Sequence, residues 1–429
     1  MPLAPLSHGL WALTAPPAPA TPPLAGPAET AVAIIGAGYT GLSAALHLAE
    51  AGIAATVLEA EEVGFGGAGR NVGLVNAGMW VRPDDLAATL GADHGARLIC
   101  FLGGAPRAVF ALVDRHGIAC EARPAGTLHC AAGAAGRAEI ETRAQQWQAR
   151  GAPVELLSAA ETRARIGGGA YAGALLDHRA GTIQPLAFAR GLAAAAMRAG
   201  AAVHTGSPVT AAVRDGRNSD GGDWRLATPG GVLRAKWVIV ATDAYTREVW
   251  PALRRGQVHL PYFNLATEPA PESAGILPGG EGCWDTRQVL TSIRTDAAGR
   301  LILGSVGRLG AVDRPIHEAW ARRTLARLFP ALGEVAFESA WFGQIGMTAT
   351  HLPAFHQLDA RVVAVAGYNG RGIAPGVAFG RALAEHAMGE RPAEAMPLPV
   401  SPAGSARFRA AREAWIRFGA GLVHALAGR

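Results

Sequence analysis

The sequence predicts a mixed α/β (α+β) fold in two discontinuous domains, one a Rossmann-like nucleotide-binding unit and the other built on a mostly antiparallel sheet. Two observations predict it: a βαβ pattern opening at Ala31, and short apolar runs alternating with turns across residues 251–344. The length of 429 residues allows two or three domains at about 150 residues each. Hydrophobic residues make up 50% and charged residues 17%, which excludes a disordered chain. The net charge is +5, yet no Lys/Arg-rich run or base-stacking aromatic repeat accompanies it, so no nucleic-acid partner is expected. Lys236 is the only lysine, a bias of composition more than a sign of function.

Residues 1–28 contain Pro16, Pro17, Pro19, Pro22 and Pro23 without a hydrophobic period, and read as an extended N-terminal arm that Trp11 would dock. AVAII from Ala31 is an apolar strand, Tyr39 to Ala51 a helix, and ATVLEA from Ala55 to Ala60 a second strand. Residues 31–49 carry no charge, but Gly36, Gly38 and Gly41 interrupt them, so a buried strand and helix is expected in place of a membrane span. Helices rich in Ala, Arg and Leu follow from Pro83 to Gly151 around a strand at Leu128–Gly133, and Leu186 to Ala199 is a further helix. RLAT, a Gly-Gly turn and VLRA form a hairpin feeding the buried strand WVIVAT, and VLTSIRT-DAAGR-LILGSVG reads as antiparallel. From Arg361 the pattern is strand, glycine-rich loop, helix.

The expected domains are a nucleotide-binding domain from 29–88, 158–250 and 345–395, a substrate domain from 89–157 and 251–344, and a C-terminal helical extension at 396–429. In that extension Trp415, Ile416, Phe418, Leu422, Val423 and Leu426 interleave with arginines, as in an amphipathic helix docked on the body; peripheral membrane contact is the alternative. Cys100, Cys120, Cys130 and Cys283 show no CxxC spacing, which argues against a metal site or a redox disulfide. Free thiols, and the lack of Lys or Arg before Arg70, point to a cytoplasmic protein without a secretory signal.

The most specific motif is Gly36-Ala-Gly38-Tyr39-Thr40-Gly41, because it follows an apolar strand and opens a helix. Gly36 permits the tight turn and Gly38 the approach of a pyrophosphate to the backbone, where helix N–H groups hold the phosphates. Glu59, ending the second strand, would accept hydrogen bonds from ribose hydroxyls and disfavours a 2′-phosphate. A glycine-rich turn in an unrelated α/β unit is the competing reading. A second small-residue stretch, Gly64 to Gly73, suits a backbone running beside a flat ring; within it Arg70 can neutralise phosphate or ring charge. A surface loop is the alternative there.

With these motifs the sequence resembles the glycine/D-amino-acid oxidase (DAO) family of FAD enzymes, in particular its γ-glutamylputrescine oxidase and bacterial L-pipecolate oxidase branch. The resemblance rests on GAGYTGLSAALHLAEAG, GFGGAGRNVG, GALLDHRAGTIQP, WVIVATDAYT, RTDAAGRLILG and GYNGRG, in that order along nearly the whole chain. It implies FAD as cofactor, held by the first glycine motif with Glu59 and Ala60, and by Gly66, Arg70, Asn71, Val72 and Gly73. Val209 would contact the adenine side, while Ala241, Thr242 and Tyr245 close on the cofactor. Gly367, Asn369, Gly370, Arg371, Gly372 and Ile373 would lie at the isoalloxazine, where Arg371 favours the negative charge of reduced flavin. Many relatives have His in place of Arg371. Relatives with covalent flavin use a cysteine before this loop; none stands near Met347, so the FAD is expected to be non-covalent.

The resemblance also implies oxidation of a C–N bond in an amine or amino acid such as a pipecolate-like ring or a γ-glutamylputrescine-like amine. Arg294 would grip a substrate carboxylate, with Arg300 as competitor and an exposed hairpin arginine as the plainer reading. Tyr262 and Phe263 would form an aromatic wall, or be ordinary core aromatics; Trp341, Gln344, Met347 and His351 would line the pocket, with His351 a possible base. An FAD-binding subunit with its catalytic partner on another chain, or a nicotinamide or flavin oxidoreductase of another substrate class, are the rival functions.

Overall fold

A computed structural model describes residues 8–215, 222–247, 249–270 and 275–426. The ends of the expected arm (1–7) and of the C-terminal extension (427–429) lie outside the described residues. The elements that position the site are β1 (Ala28–Ile35), α1 (Tyr39–Glu50), β2 (Ala55–Leu58), β3 (Thr127–Cys130), α2 (Gly133–Gln148), α3 (Pro185–Arg198), β4 (Gly231–Val240), β5 (Val258–Pro269), β6 (Gly282–Asp285), β7 (Phe337–Met347), β8 (Val362–Ala366), α4 (Ile373–Ala387) and α5 (Arg409–Leu426).

The first sheet has a parallel centre. β1 runs between β2 and β4, with Ile35 opposite both Leu58 and Val240, and β8 continues the parallel order beyond β4. Strands buried on both faces need apolar runs, which AVAII and WVIV supply. The carboxyl ends of β1, β2 and β4 stop together, so the loops that follow them open on one crevice. Helix α1 is buried along most of its length against α3 and α4. Its crossing with α4 is close: Ser43 Oγ donates to Val377 O at 2.7 Å, and a Cβ at Gly380 would lie 2.4 Å from Thr40 O. The uncharged run 31–49 is thus core strand and core helix.

Among the described residues the second sheet has eight strands, in the order β7, β5, Arg300–Val306, Thr291–Thr295, β6, β3, Ala174–Asp177 and Val154–Leu157. Every pairing is antiparallel except β6 with β3. Residues 313–328 form a helix whose Trp320 and Leu325 close a second core with Phe263 and Leu303.

Two domain assignments need correction. Residues 89–118, expected in the substrate domain, place Leu98, Leu102, Val109 and Leu112 in the first core. Conversely Ile166, Tyr171 and the strand Ala174–Asp177, expected in the nucleotide domain, belong to the second core and sheet. Ala- and Leu-rich helices show an apolar face but not which sheet covers it, so their pattern alone misassigns them. By length and composition Ala92–His116 is apolar enough to cross a membrane, with mean hydropathy 1.6. It is two helices meeting at Gly104, each with core-facing leucines.

The arm is not wholly extended: Leu10–Thr14 makes a helical turn that buries Leu10 and Trp11 completely. Trp11 Nε1 donates to Asn71 O at 2.9 Å, and its ring meets Trp341 edge-on at 5.4 Å. At the other end α5 docks through Glu413, which accepts the His259 N–H at 3.0 Å, and through buried His424, 2.8 Å from His317. Its outer face leaves Trp415, Phe418, Leu422 and Leu426 exposed.

Candidate active site

One cavity of about 1190 Å³ runs between the two sheets. Ile35, Leu58 and Val240, the last residues of the three parallel strands, line one side, and His259–Asn264 of β5, Trp284 of β6 and Phe342–Met347 of β7 line the other.

At the nucleotide end the backbone makes the surface. Gly36 has φ +105°, and a Cβ there would come within 2.8 Å of Ala241 O. A Cβ on Gly41 would meet Gly36 O at 2.0 Å, so only glycine lets α1 start directly under the turn. Around Gly38 the nearest atom to such a Cβ is Ala68 Cβ at 3.8 Å, leaving its cavity side open for a ligand. Glu59 is fixed by two N–H donors, Ala37 at 2.7 Å and Glu61 at 3.0 Å. Burial raises its pKa, and those two bonds oppose the rise.

Gly36, Gly38, Tyr39, Thr40, Glu59, Ala60, Gly66, Asn71, Val72, Val209, Ala241, Thr242, Tyr245, Asn369, Gly370, Arg371, Gly372 and Ile373 all line this cavity. The early and late glycine-bearing loops therefore meet across it. Gly41, Gly73 and Gly367 stand behind the wall and shape it: Gly73 packs on Ile183 O, and the Gly367 N–H donates to Asp243 Oδ1 at 2.6 Å. Tyr39 Oη donates to Ala68 O at 2.6 Å, and Thr40 Oγ1 pairs with Tyr368 Oη at 2.8 Å.

Arg70 is a correction. Its side chain is fully buried, hydrogen-bonded to Phe65 O and 4.5 Å over the Phe65 ring, and it does not line the cavity. It supports the wall from behind, beside Tyr245 and Tyr262. Its carbonyl ties the domains together by accepting from Asn264 Nδ2 at 2.9 Å and Trp341 Nε1 at 3.0 Å.

Arg294 is a second correction. It is 1% exposed, bonded to Ile183 O and Thr295 O, near Glu121 at 3.9 Å and 5.5 Å over Trp11. Burial lowers its pKa to about 10, so it stays charged. No part of it lines the cavity, so it holds a loop junction and cannot grip substrate. Its competitor Arg300 is spent on Asp296 and Glu338. Arg294 shares its strand face with cavity-lining Ser292, but it stands farther along the strand, where Trp11 and Ile183 cover that face.

Tyr262 does line the cavity, and its hydroxyl is buried without a partner; burial holds its pKa well above the usual range. Phe263, next to it, also borders the cavity, but its ring is fully buried in the second core, stacked on His317 at 4.6 Å. Gln344 lines the cavity with its amide donating to Ala244 O at 2.6 Å, and its N–H donates to Tyr245 Oη at 3.1 Å. His351 lines the rim from an exposed turn at φ +56°, and among the described residues no carboxylate pairs with its ring to orient it as a base. Trp341 is core against Trp11, not pocket wall.

Several lining residues carried no sequence signal. Trp80, His129, Arg143 and Trp284 come from four separate segments, and no spacing links them. Asp243, behind the late loop, also accepts from Gln257 Nε2 at 3.2 Å, and burial pushes its carboxyl up to about 6. Among the described residues no group of three or more His, Cys, Asp or Glu could hold a metal.

The long cavity, the Gly36–Gly38 cradle open toward it and the fixed Glu59 carboxylate fit an FAD lying from Val209 to the Gly370–Ile373 loop. Comparison with known proteins agrees. Residues 31–386 match the family model DAO, described as FAD dependent oxidoreductase. The chain is 34% identical over 374 residues to the gamma-glutamylputrescine oxidoreductase of Escherichia coli (strain K12), covering 84% of each. It is 30% identical over 416 residues to a probable oxidoreductase OrdL of Rhizobium meliloti (strain 1021), covering 95% of this chain and 96% of that one. Of solved structures, glycine oxidase from Geobacillus kaustophilus is similar with TM-score 0.69 at 20% identity, over 89% of this chain and 99% of that one. L-Amino acid deaminase from Proteus myxofaciens gives TM-score 0.72 at 14% identity, over 88% and 94%. The chain belongs to the DAO family of FAD-dependent oxidoreductases.

Proposed function

We propose that this FAD-dependent oxidoreductase oxidises a C–N bond in an amine or amino acid, either a pipecolate-like cyclic amino acid or a γ-glutamylputrescine-like amine. The observation that carries the reading is the meeting of the nucleotide cradle with a late loop and an aromatic wall on one cavity. The 34% identity to a gamma-glutamylputrescine oxidoreductase supports an amine donor. When bound, FAD supplies the acceptor for the α-hydrogen and its electron pair. The chain's part is to desolvate and align. Trp80, Tyr245, Tyr262 and Trp284 surround the substrate space, and the Tyr262 hydroxyl is a free polar group within it. The neutral amine gives up its α-hydrogen as hydride, the iminium left behind releases an N–H proton to water, and hydrolysis of the imine gives a carbonyl compound and the free amine or ammonia. No strong base is required, in keeping with the loss of His351 from that role.

None of the four cysteines lines the cavity, which supports non-covalent FAD; denaturation should release all the yellow colour into solution. Anaerobic titration of the holoprotein with amines and cyclic amino acids tests the reaction: one of them should bleach the flavin. Bleaching only by donors that lack a C–N bond overturns the reading. A holoprotein reducible by dithionite but by no donor would favour an FAD-binding subunit with a separate catalytic chain.

A further inference from the structure

Helix α5 has two faces with different fates. At about 3.6 residues per turn, Glu413, Ile416, Ala420 and His424 share one side, and Ala411, Trp415, Phe418, Leu422 and Leu426 share the opposite one. The first side is held to the body. Glu413 accepts from the His259 N–H at 3.0 Å and from Arg409 Nε at 2.9 Å. His424 lies 2.8 Å from His317 and 3.2 Å from Ser305 Oγ, and Arg323 donates to the His424 carbonyl at 2.8 Å. These bonds fix α5 against β5 and the helix at residues 313–328, so it is a packed element and no loose tail. The opposite side has no cover among the described residues: Trp415 is 73% and Phe418 65% exposed, with Leu422, Val423 and Leu426 beyond them and Phe408 just ahead.

Charge decides what suits that side. Arg412 borders the apolar stripe on one flank and Arg417 on the other, with Arg407 at its start, and all three are exposed. Among the described residues no carboxylate lies within ion-pair distance of any of them; the single acid of α5, Glu413, is turned inward onto Arg409. From Pro397 to Arg429 there are five arginines and no acid besides Glu413. The neighbouring elements have the same sign. Arg254 and Arg255 are exposed beside the start of α5, where the Ala406 N–H donates to Arg255 O at 2.7 Å. The helix at 313–328 carries Arg314, Arg322, Arg323 and Arg327 against Asp313 and Glu318, and Glu318 is paired with Arg314 at 2.6 Å.

A second copy of this chain would bring the same arginines to the stripe and no acid to answer them. An anionic lipid surface answers both parts: the acyl boundary takes the aromatic and aliphatic side chains, and the headgroups take the guanidinium groups. Indole also suits that depth, with an apolar ring and one N–H for the wet side. We propose that the outer face of α5 docks this protein on an anionic membrane surface, the helix lying in the plane of the headgroups with Trp415, Phe418, Leu422 and Leu426 inserted. The inference is independent of the C–N oxidation reading. It also orients the cavity, because Arg417 on the flank lines its rim together with Arg254 and His259, so the docked protein holds that rim close to lipid.

The test is sedimentation of the holoprotein with large vesicles of equal phosphatidylglycerol and phosphatidylcholine at low salt, with pure phosphatidylcholine vesicles as the uncharged control. The protein should pellet with the anionic vesicles and partition onto the neutral ones about 25-fold more weakly, each arginine near an anionic surface contributing about five-fold. Salt at about 0.5 M should release it. Trp415→Ser with Phe418→Ser should lower the partition about 100-fold, with FAD retained. Arg407→Gln with Arg412→Gln probes the charge with the stripe intact and should lower it about 25-fold. Wild-type partition in either double variant, or equal pelleting with anionic and neutral vesicles, overturns the proposal. So does a wild-type protein that ignores both vesicles and forms a dimer in sedimentation velocity that Trp415→Ser with Phe418→Ser splits; the stripe is then an interface between copies.

Discussion

The two ends of the cavity are made of different material. At the nucleotide end, backbone does the recognition: a turn at Gly36, an open face at Gly38 and one carboxylate, Glu59, fixed by N–H groups. All of it lies within one βαβ unit. At the opposite end the surface is side chain, assembled from Trp80, His129, Arg143, Trp284 and Arg371. The first end binds a ligand part that does not vary, whereas the second is free to change with substrate, because no single backbone conformation defines it. The buried arginines differ in where they face: Arg294 is held outside the cavity by the Ile183 and Thr295 carbonyls, while Arg371 lines it.

The sharpest way to break the contrast is Arg294→Ala. It leaves the Ile183 and Thr295 carbonyls and the Trp11 ring without their partner, and should cost about 4 kcal/mol of stability in chemical denaturation. Bleaching of the flavin by its donor should be unchanged in whatever folds; a loss confined to donors that carry a carboxylate would return Arg294 to the substrate site. Gly41→Ala comes next. A Cβ 2.0 Å from Gly36 O must push the turn aside, so FAD binding should weaken by about 3 kcal/mol, read by fluorescence of released FAD, with the side-chain end of the cavity intact. Glu59→Ala should loosen FAD about 10-fold, a smaller effect because only the ribose contacts and two N–H partners are lost; unchanged retention would remove that assignment.

The smallest effect joins the ends. Asp243, which accepts the Gly367 N–H, has its carboxyl raised from 3.8 to about 6 by burial. The folded protein thus holds this proton more tightly than the unfolded chain. That stabilisation is complete below about pH 4 and fades as pH rises through about 6, a change of about 1 kcal/mol after allowing for solvent in the cavity. Asp243→Asn should flatten this part of the stability–pH curve relative to wild type; parallel curves would show that Asp243 does not titrate there.

What was legible in the sequence follows the same division. The Gly36–Gly41 loop, Glu59 and the Gly367–Gly372 loop could be read because glycine and a strand-ending acid report backbone geometry at fixed spacing. The pattern over 251–344 carried the antiparallel sheet for the same reason. Arg294 could not be placed, because it shares a strand face with cavity-lining Ser292 and only the folded chain brings Trp11 and Ile183 over its end of that face. Arg70 sat in a correctly identified loop, but its direction depends on Phe65 and Tyr245 packing around it. The partners of Arg371 come from positions 80, 129, 143 and 284, and only the folded chain brings them together.

The seat of Trp11 has a cost in time during synthesis. The indole it rests against, Trp341, is translated about 330 residues later, roughly half a minute at ordinary elongation rates. Until then Trp11 can reach only the earlier parts of its seat, Asn71 and Leu186, and the apolar LWAL stretch stays partly uncovered.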